Sequence, residues 1–183
     1  MVKKSGFFVL VLSWFLGCGM NINNKLLSQA TGGATSSIER TLKFEGGDPN
    51  TFNRQGQTPL MLAARGGHLN TIKLLLENGA QTQRLDDEQW SALTYAAAHG
   101  RLEVVNLLLQ WGADASGVNR YGNTPLHWAV ENNHPLIVRR LLEVGADPDA
   151  VNMHGNTPRQ LARRQAQLLT EFPPQDKTEA GDP

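Results

Sequence analysis

Three kinds of residue in this 183-residue chain could carry chemistry: five histidines, adjacent carboxylates and one cysteine. A zinc-binding helix presents imidazoles on one face, as in His-Glu-x-x-His. His68, His127 and His134 do not form such a pair. Neighbouring carboxylates such as Asp86 and Asp87 can work as acid and base when burial drives their pKa values apart. These two fall on a stretch expected to be an exposed finger, where such tuning is not expected. No Ser or Cys stands in a nucleophile elbow. No Gly-rich loop carries a phosphate-binding Lys, and Gly32-Gly33 lacks the strand and helix that would give a Gly-rich turn meaning. Cys18 is the only cysteine, which excludes an internal disulfide and any multi-cysteine zinc site. The expectation is a non-enzyme with no cofactor, no metal and no small-molecule substrate.

Charge narrows the partners further. Lys+Arg 17 balance Asp+Glu 17, so the chain lacks the basic footprint of a nucleic-acid binder. Lys3 and Lys4 lie in an acid-free N-terminal segment, and without it 15 cations face 17 anions. Hydrophobic residues at 40% suit a folded protein.

The elements that position these residues repeat. Thr58-Pro59-Leu60, Ser91-Ala92-Leu93, Thr124-Pro125-Leu126 and Thr157-Pro158 recur every 33 residues. Gly79-Ala80, Gly112-Ala113-Asp114 and Gly145-Ala146-Asp147 recur behind them. A period of this length signals a stacked array, which builds an extended gripping surface and rarely a catalytic cleft. Within one unit, Gly56 suits a turn needing φ > 0. Thr58 is a good N-cap, and Pro59 fits the first helical position. Leu60, Ala63 and Ala64 form an apolar stripe, and Gly66-Gly67 stop the helix. Leu69, Ile72, Leu75 and Leu76 then recur at helical spacing up to Gly79. Each unit reads as helix–turn–helix–hairpin, and neither helix can bury its stripe alone.

The pattern Gly-x-Thr-Pro-Leu-His-x-Ala followed by Gly-Ala-Asp is similar to ankyrin repeats, most closely at Gly122-Asn123-Thr124-Pro125-Leu126-His127-Trp128-Ala129. The resemblance implies an all-α ankyrin-repeat solenoid with whole units at 53–85, 86–118 and 119–151. A degenerate N-terminal capping repeat at 24–52 and a C-terminal capping half-repeat at 152–172 close its ends. In the last unit Arg159 replaces the buried Leu, which reads as a polar outer face. Pro173-Pro174 open a polar run, 173–183, that reads as a disordered tail. By the same resemblance His68 and His134 are structural turn residues, and His127 braces adjacent units.

Departures from the pattern mark candidate contacts. In the second unit Gln89 stands in place of Gly, Ser91 in place of Thr and Ala92 in place of Pro. A Gln at φ > 0 is uncommon, so this finger is expected to take another shape. It carries Asp86, Asp87, Glu88 and Trp90. Trp90 either anchors a partner, since hot spots favour Trp, Tyr and Arg, or packs on a neighbouring hairpin. Positions that face the partner in many ankyrin complexes match Arg54, Gln55, Gln57, Arg120, Tyr121, Asn123, His154 and Asn156 on the hairpins. On the first-helix face they match Arg65, His99, Glu131 and Asn132. The protein-binding set is therefore Trp90, Tyr121, Arg54, Arg120, Asp87, Glu88, Gln55, His99 and Glu131. Trp128, aligned with Leu62, Tyr95 and Leu161, is expected in the core, and Trp111 is left between core and outer surface. Asn133 and Pro135 replace a helix-ending Gly and open a helix without disturbing the fold.

At the N-terminus, Lys3-Lys4 precede an apolar run, Gly6 to Gly17, shorter than a membrane span. This is the anatomy of a secretory signal. Its end, Leu16-Gly17-Cys18-Gly19, resembles the lipobox of bacterial lipoproteins, although Phe15 stands where Leu is usual and Leu16 is bulkier than usual. The resemblance implies a signal peptide at 1–17, a lipidated Cys18 and a short linker, 18–23. Cleavage by ordinary signal peptidase and an uncleaved anchor are the alternatives. Gly after the Cys implies sorting to the outer membrane, facing the periplasm, in a Gram-negative host. The whole implies an exported, membrane-tethered module that binds or inhibits another protein. The alternatives are an envelope spacer or self-assembling scaffold, and an immunity-type inhibitor of an exported toxin.

Overall fold

Each unit begins with a hydroxyl that stops the chain from fraying. Thr58 Oγ1 accepts the Met61 N–H at 3.3 Å, Ser91 Oγ that of Thr94 at 3.1 Å, Thr124 Oγ1 that of His127 at 3.3 Å and Thr157 Oγ1 that of Gln160 at 3.2 Å. Such a cap is worth about 1 kcal/mol. The four caps start α3 (Pro59–Gly66), α5 (Ala92–Ala98), α7 (Pro125–Glu131) and α9 (Pro158–Ala162) in the computed structural model, which describes residues 22–164 and 168–172. A left-handed residue then reverses the chain: Gly67 at φ 79°, Gly100 at 71° and Asn133 at 58°. The second helices follow as α4 (Leu69–Glu77), α6 (Leu102–Gln110) and α8 (Pro135–Glu143). Ahead of them lie α1, through 22–32, and α2 (Thr35–Phe44); a 3₁₀ turn, Leu169–Glu171, comes last. The signal-like segment, Cys18 and the tail from 173 lie outside the described residues.

Helices of seven to nine residues are too short to stand alone in water, so packing must hold them. They stack in two ranks: α3, α5, α7 and α9 in one, and α2, α4, α6 and α8 in the other. Ala63, Ala96, Ala97 and Ala129 are fully buried and let the first rank approach closely. Leu60, Leu93 and Leu126 are buried at the repeat spacing, each side chain contributing about 1.5–3 kcal/mol.

Arg159 continues that series and corrects one expectation. It is not on a polar outer face: it is only 8% exposed. Its guanidinium forks onto Asp149 at 2.8 and 3.1 Å and lies 5.6 Å from the centroid of the Phe172 ring. Nearby, Arg139 forks onto Glu171 at 2.7 and 2.9 Å, tying the final turn to α8.

The residue after each reversal reaches back one unit. His68 Nε2 meets the Thr31 carbonyl at 3.0 Å, Arg101 Nε the Arg65 carbonyl at 3.3 Å and His134 Nε2 the Ala98 carbonyl at 3.3 Å. His127 reaches forward instead. Its Nδ1 accepts the Thr124 N–H at 3.1 Å, which leaves Nε2 to donate to the Asn156 carbonyl at 3.2 Å. Burial pushes its pKa down, only partly offset by the Asn156 carbonyl and Glu131. Protons therefore favour the unfolded chain, so this stability is complete above the unfolded pKa and is lost as pH falls through the folded one. The expected result is that the stability gap between the natural protein and His127→Gln narrows from about pH 7.5 to about pH 5. Urea unfolding across that range measures it.

The fingers between units share one geometry. In each, a side-chain oxygen at the base accepts two backbone N–H groups: Asn53 from Gln55 and Gln57, Asp86 from Glu88 and Trp90, Asn119 from Tyr121 and Asn123, and Asn152 from His154 and Asn156, all at 2.8–3.0 Å. The second finger does not take another shape. Gln89 accepts φ 61° where its counterparts are Gly56, Gly122 and Gly155. A non-glycine residue held there costs about 1–2 kcal/mol, so Gln89→Gly is expected to raise the melting temperature by a few degrees, read by thermal circular dichroism.

Candidate functional site

The fingers line up by backbone bonds from each to the one before: Asp87 N–H to Gln55 O at 3.1 Å, Arg120 to Glu88 at 3.3 Å and Met153 to Tyr121 at 2.9 Å. Between this row and the first-rank helices runs an open groove of about 380 Å³, lined by Arg65, Glu88, Trp90, Tyr95, His99, Tyr121 and Trp128. Its floor is aromatic. Trp90 packs on Tyr95 with ring centroids 5.0 Å apart, and on Trp128 with centroids 4.6 Å apart. A second trough, lined by Thr31, Leu62, Arg65, Gly66 and His99, shares Arg65 and His99 with it.

Hydrogen bonds fix one wall. Gln57 Nε2 donates to the Tyr95 hydroxyl at 2.6 Å, which donates to Asp86 Oδ2 at 2.7 Å. Burial and the Asp86 carboxylate push the Tyr95 phenol up to about 12. Asp86 is thus not part of an exposed acidic tip: it is 7% exposed and plays the part of the asparagines in the other fingers.

Trp90 interrupts a side-chain ladder of which one rung is formed. Asn152 Nδ2 donates to Asn123 Oδ1 at 2.7 Å, reaching back 29 residues. The same step back from Asn119 lands on Trp90, whose indole offers no acceptor. Asn119, 3% exposed, is left with a buried Nδ2 that finds no partner among the described residues. Trp128 Nε1 is likewise unpartnered. A buried donor without a partner costs about 1–3 kcal/mol. A left-handed glutamine in the second finger, an orphaned donor at the base of the third and another on α7 thus accompany the Trp90 indole, and such local costs gather where function demands them.

The candidate residues divide accordingly. Trp90, Tyr121, Glu88 and His99 meet in the groove. Arg120 is exposed and pairs with Glu88 at 3.6 Å. Arg54, Gln55, Asp87 and Glu131 are exposed but do not line the groove. Asn123 is buried in the ladder, and Gln57 and Asn156 are half-buried. Trp128 is corrected from core to half-buried groove wall, and Trp111 lies on the outer surface. Tyr95 was missed as a groove residue; its place five residues after Trp90 on a first helix was the available signal. Also missed was an exposed apolar row, Phe52, Leu85, Val118 and Val151, which keeps the 33-residue spacing.

Family models agree with this geometry. A model of ankyrin repeats in three copies matches residues 11–117, and a single ankyrin-repeat model matches residues 121–153. The chain belongs to the ankyrin-repeat family. No curated protein matches it. The expected all-α ankyrin solenoid is what the described residues form, with helices and no strand. Ankyrin repeats are generally protein-interaction modules, and a groove shared by successive units suits that use. Among the described ankyrin residues no three His, Cys, Asp or Glu side chains converge to hold a metal, and no helix is long and apolar enough to cross a membrane.

Proposed function

We propose that this ankyrin chain is an exported, non-catalytic binder that grips or inhibits another protein through the aromatic groove and the finger tips beside it. The observation that carries the reading is Trp90: it takes a position where asparagine would complete the ladder, and it forms the groove floor instead. Trp90 and Tyr121 are the anchors, with Arg54, Arg120, Asp87, Glu88, Gln55, His99 and Glu131 around them. Export and tethering rest on the segment ending at Cys18, whose lipid would hold the module at the outer membrane, facing the periplasm.

The experiment has two arms. Intact mass of the protein purified from its native host's membranes should give a chain starting at Cys18 and carrying acyl mass. A chain starting later or an intact Met1 would overturn the tether. Cross-linked capture from those membranes should recover a partner with the natural protein and lose it with Trp90→Ala/Tyr121→Ala. Undiminished capture by that variant would overturn the site.

A second reading, self-assembly within the envelope, is favoured by the exposed row Phe52, Leu85, Val118 and Val151. Two rows meeting antiparallel would set Phe52 against Val151 and Leu85 against Val118, large against small, in a closed two-fold pair. Sedimentation velocity at rising concentration tests this, and a monomer throughout would exclude it.

A further inference from the structure

We propose that the aromatic groove is a cation-accepting site that takes a lysine or arginine side chain of the partner. This rests on the binding reading above and names what the groove recognises. Four aromatic rings, Trp90, Tyr95, Tyr121 and Trp128, line a space of about 380 Å³, large enough for one such side chain and the backbone that carries it. Aromatic faces carry the negative part of the ring quadrupole, and a cation over them is attracted.

The surrounding hydrogen bonds strengthen that preference. Tyr95 donates a hydroxyl hydrogen bond to Asp86 at 2.7 Å, which polarises the O–H bond of the neutral phenol and enriches the ring face. The same bond occupies the donor that an anion would have used. Trp128 keeps its Nε1–H sealed from solvent, so it too withholds a donor. His99 Nδ1 donates to the Tyr95 carbonyl at 2.9 Å, so that donor is also withheld from the groove.

Two full charges line the groove, Glu88 and Arg65, and a third, Arg120, stands beside Glu88. Glu88 is the counter-charge. Its carboxylate is half-exposed, and its 3.6 Å pairing with the equally exposed Arg120 is loose enough for an incoming ammonium or guanidinium to compete. Arg65 works against the occupant. It lines both troughs, and its charge must swing aside or be screened when a cation enters. The two residues therefore have opposite expected effects, and a merely apolar groove would feel neither.

The test titrates the full chain with capped pentapeptides that differ only at the centre: Lys, Arg, norleucine or Glu. The indole N–H resonances of Trp90 and Trp128 are followed, and Trp111 serves as the exposed control. Lys or Arg should bind about two- to thirty-fold more tightly than norleucine, the range that a cation–π contact spans. Glu88→Gln should weaken the Lys peptide, and Arg65→Gln should tighten it. Both positions are on the surface, so neither substitution threatens the fold. Equal shifts with Lys and norleucine would reduce the site to an apolar groove. Preference for the Glu peptide, lost in Arg65→Gln, would make it an anion site. No shift with any peptide would also overturn the proposal. A partner captured through Trp90 but indifferent to Glu88 and Arg65 would overturn the cation assignment while leaving the binding reading intact.

Discussion

Trp90→Asn is expected to abolish partner capture while leaving the array as stable as before. A central aromatic hot spot removed from an interface costs about 2–4 kcal/mol, or about thirty- to a thousand-fold in affinity. On the stability side two effects oppose. The indole's packing on Tyr95 and Trp128 is lost, about 0.5–1.5 kcal/mol beyond its buried area. The new asparagine returns the acceptor that Asn119 Nδ2 lacks, as Asn123 serves Asn152 at 2.7 Å, and recovers about 1–3 kcal/mol. Trp90→Ala loses the packing and recovers nothing, so it should melt lower than both the natural protein and Trp90→Asn. Capture assays and thermal scans on the three proteins separate the roles. Capture retained by the asparagine variant would dismiss Trp90 as an anchor. Equal melting of the two variants would dismiss the ladder.

Leu93→Ala should have the largest effect on stability, about 2–5 kcal/mol, and should also change how the protein unfolds. Leu93 is fully buried in the middle unit, where α5 packs against α3, α6 and α7. In a stacked array each unit is held only by its neighbours, so a cavity there weakens both junctions at once. The melting temperature should fall by about 5–20 °C, and the single transition should split into two. Leu26, equally buried in α1, sits at an end and touches only one junction. Leu26→Ala should fray the first two helices and leave the rest cooperative, which hydrogen exchange would resolve. Identical responses at both positions would contradict nearest-neighbour coupling.

The features that could be read in advance were those whose physics is local. Thr58, Ser91, Thr124 and Thr157 cap helices through their own hydroxyls within three residues, so their spacing alone exposes the array. Asn133 at φ 58° followed from its tolerance of the left-handed region. The misread residues take their roles from another unit or from the shape of the turn. Asp86 looks like surface charge until its oxygens are counted against Glu88, Trp90 and Tyr95. Alignment with Leu62 points Trp128 to the core, but Trp90 from the preceding unit draws it into the groove. The charge of Arg159 points to the surface, and Asp149, ten residues away, explains its burial. Gln89 has a backbone preference against the left-handed region, and the backbone bonds within and between the fingers overrule it. The groove belongs to no single unit: it is lined from units one, two and three together.

The contact between Trp90 and Trp128 also has an optical side. Two indoles with centroids 4.6 Å apart and planes inclined at 43° have transition dipoles that couple and split into a pair of bands of opposite sign in circular dichroism. Because one indole belongs to the second unit and the other to the third, that couplet reports the junction between them, whereas the helical bands average the whole molecule. The protein thus has a built-in chromophore pair at the place where a partner would sit, readable without any label.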